Sequence, residues 1–193
     1  MSTSRLEAFS DGVLAIIITV MVLELKVPGE PYTLNTLWHE SGLGLLTYLL
    51  SFIYIGIYWN NHHHMLHAAS MVTGGILWAN LHLLFWLSLV PFVTAWMGEN
   101  HFAATPVALY GVVLFFAACA YFILARTLAT HHGQDSKIAM ALGKDFKGLV
   151  SLGIYALAIA TASFSPGVAG SLYALVAFIW LVPDRRIERV LAD

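Results

Sequence analysis

Twelve uncharged residues, Gly12 to Leu23, lie between Asp11 and Glu24. As a helix they rise roughly 18 Å, against about 30 Å for the hydrocarbon core of a bilayer. A helix this short between charges is poorly suited to face lipid on every side. It fits better inside protein, with water reaching it from both ends. On a helical wheel with Arg5 at zero, Phe9, Gly12, Ile16, Thr19, Val20 and Leu23 all fall within about 60° of it. Ser10 and Asp11 point well away from that stripe. The helix therefore has two faces: an apolar stripe carrying a Thr and an Arg, and a polar pair aimed at neighbours.

An apolar run behind a single Arg also has the outline of a secretory signal. Glu7 and Asp11 intrude on it and no small-x-small cleavage motif follows, so the signal reading is set aside.

Composition decides the class. The chain is 59% hydrophobic and only 10% charged, with a mean hydropathy of +0.77, which marks an integral membrane protein. A net charge of -2 gives no basis for a nucleic-acid partner. The one cysteine, Cys119, excludes an intrachain disulfide framework. With 193 residues there is no room for a sizeable soluble appendage, so residues 1–193 read as a single transmembrane domain.

Along the chain, Lys26 to Gly42 forms a polar connection through Pro28, Gly29, Glu30 and Pro31, with a short interfacial helix around Leu34 to Glu40. A second span runs from about Leu43 to Trp59 and on through Asn60 and Asn61 to His64. A third covers about Val72 to Trp96, with Asn80, His82 and Pro91 inside it. The fourth runs from Pro106 to about Leu128. Residues 130–145 are the most polar connection. The fifth is about Phe146 to Phe164, broken by Ser165-Pro166-Gly167. The sixth is about Val168 to Val182, ended by Pro183. Six transmembrane helices in an all-α fold are thus predicted.

The basic residues orient them. With the N-terminus inside, Arg5, Arg126, Lys137, Lys144, Lys147, Arg185, Arg186 and Arg189 all lie inside, and Lys26 alone outside. The positive-inside rule then places both termini in the cytoplasm. Glu24, Glu30, Glu40 and Glu99 fall on the outer side, where acids concentrate cations or are simply tolerated.

Polar groups within spans need partners. Ser10 and Asp11 on the first helix, Trp59 and His62 on the second and Asn80 on the third share one half of the membrane. They predict an interhelical hydrogen-bond cluster locking three helices together. The functional alternative is a proton relay through Asp11 and His62, as in a proton-coupled secondary transporter. The run His62-His63-His64 with His67 suggests a metal, but three or four ligands with a second shell are usual for zinc, and no Cys or HExxH motif accompanies it. These histidines read as packing or interfacial residues, and no metal or cofactor is predicted. His82 is alone deep in a span, which leaves a haem without a facing partner there. No nucleophile, base and orienter assemble anywhere, so an enzyme is the weaker class.

Arg5-x-x-x-Phe9-Ser10-Asp11, followed by a run ending Thr19-Val20-Met21-x-Leu23, resembles the signature of the transmembrane protein 175 family of potassium channels. Trp59-x-x-His62, Asn80-Leu81 and Pro91-Phe92 continue the likeness through the third span; beyond it only hydropathy matches. The resemblance implies a channel for K+ and other monovalent cations, with six helices per unit, in a prokaryotic cell membrane. One unit per chain implies a homotetramer with four first helices lining an axial pore. By position, Ile16, Val20 and Leu23 would form the apolar constriction, and Thr19 would contribute to potassium preference. Arg5, Phe9, Ser10, Asp11, Trp59, His62 and Asn80 would make up the motif and its interhelical network. No TVGYG-type filter occurs, in keeping with that family. Besides the channel and the proton-coupled transporter, a non-conducting helix-bundle scaffold is the third reading.

Overall fold

The structure, a computed structural model, describes residues 2–132 and 146–181. All regular structure among them is helical: α1 (Thr3–Leu23), α2 (Leu34–His67), α3 (Gly74–Ser88), α4 (Val90–Glu99), α5 (Ala104–His132), α6 (Phe146–Ala162) and α7 (Pro166–Leu181). Helices α1, α2, α3 with α4 as one 26-residue segment, and α5 are long and apolar enough to cross a membrane. Helices α6 and α7 are equally apolar but have 17 and 16 residues, and each abuts undescribed chain. The 130–145 connection beyond residue 132, the lysines within it, the end of the sixth span and the C-terminal arginines lie outside the described residues.

Two expectations need correction. The polar connection ends early, because α2 is continuous from Leu34 to His67 and absorbs the separate interfacial helix expected around Leu34 to Glu40. Thr33 caps it, its hydroxyl accepting from the Thr36 amide at 3.1 Å. Ser41 donates to the Lys26 carbonyl at 2.7 Å, which uses a polar residue to pin the incoming loop and not to end the helix. The third span, expected as one helix, breaks at Leu89. Pro91 has no N–H for the Leu87 carbonyl, and its ring crowds that turn.

Helix α5 packs between α3 and α6, α7 packs on α6, and α2 packs on α4. Close approach is set by glycine at two crossings. A Cβ on Gly98 would stand 2.8 Å from Thr47 Oγ1 and 3.0 Å from Gly44 Cα, so α4 lies directly on α2. A Cβ on Gly111 would collide with the Tyr173 hydroxyl, so α7 presses a phenol against the α5 backbone. Without water to solvate them, buried polar groups pair across helices. Ser51 bonds Thr94 at 2.7 Å and Tyr110 at 3.0 Å, and Tyr54 donates to the Tyr173 carbonyl at 2.6 Å.

Candidate functional site

Helix α1 divides as its wheel predicts. Leu6, Ser10, Leu14, Ile17 and Met21 are buried against the bundle. Arg5, Phe9, Gly12, Ile16, Thr19, Val20 and Leu23 are all exposed on the opposite side. Ile16 is 62% exposed and Leu23 79%, so neither is wedged against the rest of the chain. The Thr19 hydroxyl lies within 3.1 Å of the Ala15 carbonyl and 3.0 Å of the Ile16 carbonyl. Its proton is thus given back to the helix, and its oxygen lone pairs remain for an outside partner.

The inward side is fixed by a directed chain of hydrogen bonds. Ser10 Oγ donates to the Leu6 carbonyl at 2.9 Å, and Asn80 Nδ2 donates to Ser10 Oγ at 2.9 Å. Asn80 Oδ1 stands 2.7 Å from His62 Nε2. A carbonyl oxygen only accepts, so His62 carries its proton on Nε2. Ser10, Asn80 and His62 are all buried, His62 at 1% exposure, and together they tie α1, α2 and α3. His62 Nδ1 is buried with no partner among the described residues.

A second, more exposed set lies beside the first. Trp59 Nε1 donates to Asp11 Oδ1 at 3.0 Å, and His63 Nδ1 stands 2.7 Å from Glu7 Oε1. Glu7 and Asp11 are one turn apart on α1, as Trp59 and His63 are on the antiparallel α2. The rings of Trp59, His63 and His67 stack in sequence along that face. The structure thus joins Ser10, Asn80 and His62 in one network and Asp11 and Trp59 in another, while Arg5 and Phe9 face outward. Glu7 was not singled out in the sequence. Its signal was the i, i+4 spacing with Asp11, matched by Trp59 and His63 on the facing helix. Among the described residues, no three His, Cys, Asp or Glu side chains are placed to hold a metal ion.

A groove of about 700 Å³ runs between α1 and the broken α3–α4 span. Ile16 and Val20 form one wall, Pro91, Phe92 and Trp96 the other, and Glu24 and Glu99 stand at one end. Two residues of the outward stripe of α1, Ile16 and Val20, therefore border an apolar groove on the molecular surface.

Comparison with known proteins agrees with this architecture. The family model "Endosomal/lysosomal potassium channel TMEM175" matches residues 5–91, the segment that carries the whole network. A potassium channel of Chryseobacterium sp. (strain P1-3) is 53% identical over the full length of both chains. The chicken (Gallus gallus) endosomal/lysosomal proton channel TMEM175 is 26% identical over 94% of this chain and 41% of its own length. The crystal structure of a lysosomal potassium-selective channel TMEM175 homologue from Chamaesiphon minutus superposes with a TM-score of 0.76 at 29% identity, covering 93% of this chain and 96% of that one. The chain is a multi-pass membrane protein and belongs to the TMEM175 family of potassium channels.

Proposed function

We propose that the protein is a potassium-favouring cation channel of the prokaryotic plasma membrane, assembled as a homotetramer around four copies of α1. Each chain contributes one six-helix unit with both termini in the cytoplasm. The observation that carries this reading is the division of α1: Ile16, Thr19, Val20 and Leu23 stand clear of the subunit while the opposite side is hydrogen-bonded into it. An apolar stripe turned away from its own core needs either lipid or other copies. Arg5 stands exposed on the same stripe, and a charge is costly against lipid.

Rings of Ile16, Val20 and Leu23 form the throat, which gates by wetting and drying. Thr19 presents its oxygen lone pairs at the same level and replaces part of the hydration shell of a passing cation. Glu24, one residue beyond Leu23, raises the local cation concentration at the outer mouth. The proton-coupled reading needs a path between Asp11 and His62. Asp11 accepts from Trp59 while His62 bonds Asn80, two separate hydrogen-bond sets.

Potassium flux into proteoliposomes tests the assignment. Ile16→Asn puts a ring of amides in the throat and raises basal flux while lowering the potassium-to-sodium ratio. Unchanged flux and ratio would remove Ile16 from the conduction path. Reversal potentials that follow the cation gradients alone support a channel; fixed coupling to the pH gradient supports the carrier.

A further inference from the structure

A cleft unrelated to the outward stripe of α1 opens between α2, α5, α6 and α7. It is lined by Tyr58, Phe122, Ser151, Tyr155 and Trp180, among others, and has a free volume of about 50 Å³. That is room for roughly four water-sized groups, too little for a drug-sized ligand, for which pockets of about 300 Å³ and more are usual. Its wall is mostly aromatic ring and aliphatic carbon, which leaves water few partners and favours hydrocarbon. Two cations lie against rings of its lining. The exposed Arg126 guanidinium sits 5.0 Å from the centre of the Phe122 ring, and the Lys147 ammonium 6.0 Å from that of Trp180. Both rings belong to the cleft, so each positive charge lies beside the wall of an apolar slot.

An apolar slot beside two cations matches one ligand chemistry: a hydrocarbon chain attached to an anion. We propose that this cleft holds part of one acyl chain of an anionic phospholipid, with the phosphate drawn to Arg126 and Lys147. A zwitterionic lipid brings the same chain but carries a cation of its own beside the phosphate, and is held less well. Each basic group near a membrane surface contributes an attraction equivalent to about a fivefold change in anionic-lipid binding.

Native mass spectrometry of the detergent-purified protein tests this, with phosphatidylglycerol and phosphatidylcholine of identical chains as probes. Preferential retention of phosphatidylglycerol is expected, weakened about fivefold by Arg126→Gln and again by Lys147→Gln. Retention of phosphatidylcholine should be unmoved by either. Ala118→Leu narrows the cleft without touching a charge and should lower retention of both lipids. Leu152→Phe fills it from α6 and serves the same purpose if Ala118→Leu does not fold. Equal retention of the two lipids, or charge variants that bind like the parent, would overturn the proposal. Full competition by glycerol phosphate would overturn the acyl chain's part, since that headgroup has no chain.

Discussion

Asn80 on α3 and Ser10 on α1 are both fully buried and meet at 2.9 Å, with the amide donating to the hydroxyl. Through its other end Asn80 accepts from His62 on α2. One side chain therefore satisfies groups on two other helices, and it does so on the side of α1 opposite Ile16 and Leu23. This contact, together with Asp11 to Trp59 and the burial of Leu14 and Ile17, sets the direction in which the stripe faces.

Replacing Asn80 by Leu leaves the His62 Nε2 proton and the Ser10 oxygen without partners in a region short of water. The expected loss is about 1–3 kcal/mol, toward the lower end given the modest strength of measured interhelical hydrogen bonds. Thermal unfolding in detergent reads it as a lowered midpoint, and an unchanged midpoint would show that the contact holds nothing in place.

At Asp11 the prediction separates charge from hydrogen bonding. Asp11→Asn keeps an oxygen that can accept from Trp59 Nε1 at the present 3.0 Å and should leave stability nearly unchanged. Asp11→Leu removes the acceptor. Its effect should be non-additive with Trp59→Phe in a double-mutant cycle. Additivity of that pair would mean that the two side chains do not interact.

The glycines on α5 and α6 make an internal control. Gly111→Ala drives a methyl group into the Tyr173 phenol and should cost about 1–3 kcal/mol from overpacking. Gly153 has nothing within 4 Å of the place its Cβ would take. There Ala should be neutral or stabilising by up to about 1 kcal/mol through helix propensity. Equal effects at the two sites would contradict the packing of α7 on α5.

Thr19→Val is nearly isosteric and deletes one hydroxyl from an exposed position. Folding should be untouched within about 0.5 kcal/mol, while the potassium-to-sodium flux ratio falls. An unaltered ratio in proteoliposomes would take Thr19 out of selectivity.

Much of this was legible in the chain. The two faces of α1 follow from a 3.6-residue period over a short run, and Ser10, Asn80 and His62 follow from the cost of unpaired polar groups in a span. The continuity of α2 was not legible, because His39, Glu40 and Ser41 resemble a loop. Glu40 and Ser41 serve instead to hold the real one, Glu40 accepting from the Gly29 amide at 3.2 Å and Ser41 bonding the Lys26 carbonyl. Pro91 was visible, yet whether a proline kinks or breaks a membrane helix depends on its neighbours. Contacts such as Tyr54 to Tyr173, 119 residues apart, depend on the placement of α7 and have no local signature.

The proposed channel requires four α1 helices to meet with Ile16 toward a common axis. Ile16→Cys in a Cys119→Ser background, oxidised in native membranes, tests it directly, since a disulfide needs Cα atoms about 4.4–6.8 Å apart. Cross-linked dimers, with potassium flux lost on oxidation and restored by reductant, are predicted. Monomers that remain uncross-linked, or flux that is indifferent to the cross-link, would contradict it.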